Sequence, residues 1–409
     1  MEPTVQDLPS YTPSNPAPDY SSQPLPGERC IQKSPRQSLL LHLGSSSFSF
    51  KEHKIALTLR DCREEEGLPT YGLCSSVLGE VALEQRDRVL SVTVKLEGRI
   101  HINDSLSPLT TVLFSKERNL WKRGPSSDEP CPGMMPVCVP FPSTYHDRSM
   151  GQEYRLPPSY ELSSPRKASI IYTLTVTVSK AKVIPIFGRK VTRETLIAQL
   201  RYHPRVRPPR PVPSYSMQSK QCPEEWREEI WATKGSIIST AEPLLAICQF
   251  YLPSVRVFTI TDTIPFHLRL KASPHILEAL MHAITPTRRD DATYLNFPIH
   301  VYLLRQTVVD LQGTRVTNER VLGTGSMTLQ SSTPAEDASS EDHTLTWDGT
   351  VCCKTTVTHT GFITNEISVK DFIVVSLLAP PTVSTQDSHV QLRHPIPIRL
   401  VTEPWIDRS

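Results

Sequence analysis

Between Leu90 and Leu96 apolar side chains fall at Leu90, Val92, Val94 and Leu96, with Ser91, Thr93 and Lys95 between them and Glu97 next in line. A period of two puts one face on a core and the other in water, so this stretch folds as a strand. Gly98 interrupts the row before Ile100 and Ile102 resume it, which predicts a bulge or sharp twist at the glycine. The same period returns at Ile170, Tyr172, Leu174, Val176 and Val178, alternating with Ile171, Thr173, Thr175, Thr177 and Ser179. Its β-branched content suits a pleated, half-buried surface.

Strand-like runs continue along the chain at Leu39–Leu43, Ile55–Leu59, Val77–Leu83 and Thr111–Phe114. In the second half they are Val255–Ile260, Phe266–Leu270, Ile299–Leu304, Val351–Thr358, Phe372–Leu378 and Ile396–Val401. Short strands with 38 prolines against 16 glycines predict an all-β chain of two antiparallel, immunoglobulin-like β-sandwiches. At 409 residues each has enough chain to bury its own core.

Residues 1–36 carry eight prolines among small polar residues and read as a disordered Pro-rich tail. The expected division is then 37–203 for the first sandwich, 204–234 for a Pro-rich basic connector with a short helix, 235–403 for the second sandwich, and 404–409 for a short tail. The helix is expected at Glu224–Trp231, where Trp226, Ile230 and Trp231 share a side. A second is expected after Ser273-Pro274, an N-cap and first-turn pair leading into Ile276, Leu277, Leu280, Met281 and Ile284. Lys122–Met150 reads as a long surface loop, and Ser331–Asp348, with five acids and no Lys or Arg, as a mobile acidic loop.

Several function classes are disfavoured. A net charge of +2 argues against nucleic acid as the main partner. No run of ~18 apolar residues is present to cross a membrane as a helix, and the N-terminus has no signal-peptide pattern. The nine cysteines lack framework or CxxC spacing, so reduced thiols in a cytosolic protein are expected, with no metal site and no cofactor. GxSxG, HExxH, P-loop and GxGxxG patterns are absent from the sequence. The chain is therefore read as a non-enzyme, with a hydrolase of dispersed site as the remaining catalytic reading.

Leu156-Pro157-Pro158-Ser159-Tyr160 is a full PPxY motif. Such a motif lays prolines on an aromatic WW groove and seats the tyrosine beside them. Leu8-Pro9-Ser10-Tyr11 and Leu68-Pro69-Thr70-Tyr71 are looser LPxY relatives, with Ala17-Pro18-Asp19-Tyr20 and Pro213-Ser214-Tyr215 weaker still. The plain alternative at Tyr160 is structural, because the motif leads directly into the Ile170 strand. Eight Lys/Arg against one Glu between Lys182 and Arg210 make the connector basic. Arg201, Arg205, Arg207 and Arg210 are thus candidates for anionic lipid or acidic cargo, and Arg205-x-x-Pro208-x-x-Pro211 also fits an SH3 ligand. The plain alternative is a stiff hinge with solvated arginines.

Taken in order, these pieces resemble fungal arrestin-like proteins of the alpha-arrestin group across about residues 38–403. The matching residues are Tyr71-Gly72, Gly79-Glu80-Val81-Ala82-Leu83 and Val94-Lys95-Leu96-Glu97-Gly98-Arg99-Ile100, then Leu156–Tyr160 before the Tyr172 strand, and Tyr202-His203-Pro204-Arg205-x-Arg207-Pro208 at the join. The resemblance implies an arrestin N-terminal-like sandwich followed by an arrestin C-terminal-like sandwich. It implies a cytoplasmic trafficking adaptor, peripherally associated with the plasma membrane or endosomes, that binds cytosolic tails of membrane-protein cargo. A HECT-type ubiquitin ligase would dock by its WW domains on PPxY or LPxY, promoting endocytosis or sorting. The strict PPxY here lies inside the first sandwich, not in a tail after the second as in ligase-recruiting relatives. A sorting scaffold without ligase contact, using sheet edges and the basic connector, is the alternative.

Overall fold

A computed structural model describes residues 46–103, 108–124, 130–147, 149–164, 166–184, 188–213, 224–236, 243–274, 277, 299–334, 343–354, 357–377 and 392–406. The expected Pro-rich tail, the Leu39–Leu43 strand, Leu8, Pro9, Tyr11 and most of the Ile276 segment lie outside the described residues.

Among the described residues the first half forms β1 (Ser46–Glu52), β2 (Ile55–Glu65), β3 (Leu68–Tyr71), β4 (Ser76–Leu83), β5 (Val89–Asn103), β6 (Leu109–Lys122), β7 (Met134–Pro140), β8 (Thr144–Asp147), β9 (Gln152–Arg155), β10 (Tyr160–Leu162), β11 (Lys167–Ile184) and β12 (Gly188–Tyr202). The second half forms β13 (Trp226–Ser236), β14 (Pro243–Pro253), β15 (Val257–Thr259), β16 (Ile264–Ala272), β17 (Ile299–Leu311), β18 (Thr314–Thr324), β19 (Ser326–Pro334), β20 (His343–Val351), β21 (Phe362–Ile363), β22 (Ile367–Leu377) and β23 (Leu392–Val401). The regular structure of the described residues is almost wholly β, in several sheets.

One long sheet runs β6-β5-β11-β12-β3-β2-β4-β7, with β1 added to β2 and β10 to β11. Its turning point is β12, antiparallel to β11 from Tyr172↔Leu200 to Ile184↔Gly188, then parallel to β3 at Arg201↔Thr70 and Tyr202↔Tyr71. The alternating inward residues of β5, β11 and β12 (Val94, Leu96, Leu174, Leu196) share one core with those of β2, β4 and β7 (Leu57, Leu59, Val81, Val137). In the second half a sheet β13-β14-β16-β20-β19 faces a sheet β15-β23-β22-β17-β18, with Phe250, Phe266 and Trp347 packed against Val301, Leu303 and Ile373.

The first core does not stop at the first half. It takes in Val309, Leu311, Ile367 and Val369 from the ends of β17 and β22. Burying each such side chain contributes about 1.5–3 kcal/mol, so the halves are held together by apolar packing as well as by the connector.

Gly98 behaves as its position in the sequence predicts. The β5–β6 register shifts between Gly98 and Arg99, and a Cβ at Gly98 would lie 2.6 Å from Tyr172 Cε1 and 2.9 Å from Phe114 Cε1. Only a residue without a side chain lets these rings cross the strand. They join Tyr71, Phe141 and Tyr202 in a cluster whose neighbouring centroids lie 5.1–6.3 Å apart, within the usual range for favourable aromatic pairs.

Other expectations are corrected. Glu224–Trp231 is not a helix: Trp226 opens β13, which pairs with β14 from Trp226↔Pro253 to Ser236↔Pro243. The ladder satisfies the backbone, and the two tryptophans find rings: Trp226 on His267 within the same sheet at 5.0 Å and Trp231 on His394 of the facing sheet at 4.0 Å. The second sandwich therefore begins inside the stretch 204–234 expected as connector. Lys122–Met150 contains β7 and β8, because Met135, Val137, Val139 and Phe141 are buried. Ser331–Asp348 is largely strand at its ends, in β19 and β20. Of the expected strand Val351–Thr358 only Val351 is strand, whereas 352–354, 357 and 358 lie outside any strand.

Candidate functional site

The site is the seam between the halves, reached from β10, the β12 end, β17 and the segment before β21. Leu156, Pro157, Pro158 and Tyr160 are all buried. The Tyr172 hydroxyl donates to the Pro157 carbonyl at 2.5 Å. Ser159 N donates to Tyr202 O at 2.8 Å while Tyr202 N donates to Ser159 Oγ at 2.9 Å. These bonds fasten the Pro-Pro segment to the first core and leave Tyr160 aimed at the second half. Its ring is 8% exposed, edge-on to His359 at 4.9 Å and to Phe362 at 5.2 Å, and its hydroxyl meets Thr307 Oγ1 at 3.2 Å. Burial raises the phenol pKa above its usual value, so the group stays neutral. The motif as folded does not present the tyrosine to a WW groove, and the structural alternative at Tyr160 describes its geometry.

Beneath Tyr160 lies a charged layer. Arg305 on β17 grips Asp371 on β22 in a two-pronged pair, Nε to Oδ1 at 2.7 Å and Nη2 to Oδ2 at 3.1 Å, and its Nη1 donates to the His359 carbonyl at 3.1 Å. Both side chains are almost fully buried, where a lone charge is very costly and a two-pronged partner offsets that cost. Burial, reinforced by Arg305, pushes the His359 imidazole down to about 3. Two cavities flank Tyr160. One of about 380 Å³ is lined by Glu66, Ser159, Arg201, His203 and His359, among others, and one of about 120 Å³ by Arg305, Thr307, Asn318 and Arg320, among others.

The connector arginines are mostly spoken for. Arg201 Nη2 pairs with Glu66 at 2.5 Å, which holds the Glu66 carboxyl below its usual range. Arg205 spans the seam, 3.0 Å from Glu65 Oε1 and 3.5 Å from Glu403 Oε1, with Arg207 3.8 Å from Glu403 Oε2. His203 Nδ1 lies 2.9 Å from Glu65 Oε2. Backbone bonds complete the clasp: His203 N to Tyr71 O at 2.8 Å and Glu403 N to Val206 O at 3.1 Å. Arg201, Arg205 and Arg207, read from the sequence as candidates for anionic lipid or acidic cargo, are held in ion pairs: Arg201 with Glu66 just past β2, Arg205 between Glu65 and Glu403, and Arg207 with Glu403 just past β23. Arg210 alone of the four is exposed without an ion pair among the described residues.

The sequence reading missed Thr307, His359, Arg305, Asp371, Glu65 and Glu403. One signal was available: Arg305 follows Val301-Tyr-Leu-Leu304 inside an apolar strand, and a charge there demands a buried partner. Among the described residues, no group of three or more His, Cys, Asp or Glu is placed to hold a metal, and no helix is long and apolar enough to cross a membrane.

Compared with the models of known protein families, the sequence matches none. No characterised protein matches it significantly either.

Proposed function

We propose that the chain is a non-enzymatic adaptor of the arrestin-like kind, a cytoplasmic protein peripheral to membranes that binds extended cytosolic tails of membrane-protein cargo. The observation that carries this reading is topological. Strands β6 and β13 close the long sheet and the five-stranded sheet, each bonded to a single neighbour among the described residues. An open edge offers unpaired main-chain groups to an added peptide strand, and the seam holds the two sandwiches as one platform.

The burial of Leu156–Tyr160 favours the scaffold form of this reading over ligase recruitment through Tyr160. Leu8, Pro9 and Tyr11 remain the docking candidates for a WW-domain HECT-type ligase. Two measurements test the reading. Hydrogen exchange with a panel of cytosolic-tail peptides is expected to show new amide protection along β6 or β13, and protection on neither edge sinks it. Titration with WW domains is expected to show binding that survives Tyr160→Ala and is lost on deleting residues 1–36. Binding abolished by Tyr160→Ala at unchanged melting temperature restores the motif at Tyr160.

A further inference from the structure

Among the described residues, the connector is not where positive charge without an ion pair gathers. That place is the end of the first sandwich where β4 turns into β5, β6 ends, and β11 turns into β12. Arg193, Ser179, Ser91 and Lys122 form one cross-strand row over β12, β11, β5 and β6, so the two cations stand about 14 Å apart at three strand spacings. The Arg88 turn closes the row's outer side, with Ala181 N donating to Arg88 O at 2.8 Å, and Arg123 N donates to Leu90 O at 2.9 Å beside it. Arg86 lies over Gly133 just ahead of β7, where an added Cβ would be 3.7 Å from its Nη1. Beyond the last β5 pair, Val89↔Lys180, the β11–β12 ladder continues as two strands alone, with Lys190 opposite Lys182.

Arg86, Arg88, Lys122, Lys190 and Arg193 are exposed and Arg123 is half-buried. Among the described residues none of these six forms an ion pair. By contrast Lys180 nearby is matched by Glu194 at 2.7 Å, and Asp87 is the acid within the Arg86–Arg88 turn. Val191, 55% exposed, stands among the cations on the projecting ladder.

We infer that this end is a docking surface for an anionic lipid bilayer. The charges come from separate turns and strand ends and are spread over the end of a sandwich, an arrangement that suits a plane of headgroups. The two cavities described above lie elsewhere, at the seam, and neither is lined by these cations. Near an anionic membrane each cation strengthens binding roughly fivefold, and an exposed valine on the same projection adds apolar contact at the interface. The inference extends the adaptor reading, since it supplies that reading's membrane contact, but its test uses lipid with no cargo peptide and the two fail separately.

The full chain would be sedimented with phosphatidylcholine vesicles containing about a third phosphatidylserine, a composition that sets the surface charge. The expected result is binding that is absent on pure phosphatidylcholine. Lys122→Glu/Lys190→Glu/Arg193→Glu is expected to weaken it at least tenfold, whereas the connector control Arg207→Glu/Arg210→Glu leaves it within about twofold. Equal sedimentation of wild type and the triple variant overturns the inference, as does a loss confined to the connector control. Vesicle-independent binding of polyglutamate or RNA at the same residues overturns it in favour of an acidic macromolecule. Should the triple variant melt early, the wild type decides: binding that does not fall steeply between about 0.05 and 0.5 M NaCl is not electrostatic docking.

Discussion

The hydroxyl of Tyr160 lies 3.2 Å from Thr307 Oγ1, although 147 residues separate them in the chain. This bond, with the His359 and Phe362 rings on either side, makes a tyrosine from a short linear motif into a pin between two sandwiches.

Tyr160→Phe removes the bond and keeps the ring, so a loss of about 1 kcal/mol is expected. Tyr160→Ala also removes the ring from its pocket, and about 3–5 kcal/mol is expected. Urea denaturation of both variants and of Thr307→Val measures this. A double-mutant cycle between Tyr160→Phe and Thr307→Val showing no coupling would mean the bond contributes nothing.

Gly98→Ala drives a methyl group into Tyr172 and Phe114. Overpacking of this kind costs about 1–3 kcal/mol. The expected sign is a lower melting temperature, with loss of near-ultraviolet circular dichroism from the aromatic cluster. A variant as stable as wild type would show that the rings move aside freely.

Removing one partner of the Arg305–Asp371 pair strands a buried charge. Asp371→Leu is expected to lose about 3–5 kcal/mol, while Arg305→Met/Asp371→Leu together recover most of it. Equal stability of the single and double variants in denaturant melts would mean that the remaining arginine finds water or another acid.

His359 gives a pH dependence of known sign. Its folded pKa is pushed down to about 3, by burial first and then Arg305, whereas an unfolded imidazole titrates near about 6.5. The folded state holds the ring neutral, so its stability contribution is fully present above about pH 6.5. It is lost as the pH falls toward 3, at up to about 1.4 kcal/mol per pH unit. His359→Gln should flatten the fall in urea midpoint between about pH 6.5 and 4.5; parallel curves for variant and wild type rule this out.

What the sequence shows most plainly is what depends on short-range periodicity. The Leu90–Leu96 and Ile170–Val178 rows, and the interruption at Gly98, are visible because alternation is set by the pleat itself. Glu224–Trp231 misleads because Trp226, Ile230 and Trp231 fit a helical spacing, and only the ladder with β14 decides for the strand. Met134–Pro140 hides among prolines and glycines that resemble a loop, and its burial depends on β4 lying beside it. At the seam, nothing near Tyr160 announces Thr307 or His359, and nothing in the Arg-rich connector announces Glu65 or Glu403. Those pairings are set by how two distant halves dock, which no local pattern encodes.

The parallel register of β12 on β3 has a mechanical consequence. Tension drawing the second sandwich away enters the first at His203, immediately after the Arg201↔Thr70 and Tyr202↔Tyr71 pairs. The pull runs along the strands, so those pairs and the His203–Tyr71 backbone bond bear it in shear, together, instead of peeling apart one after another. The join is thereby stiff to stretching along the chain.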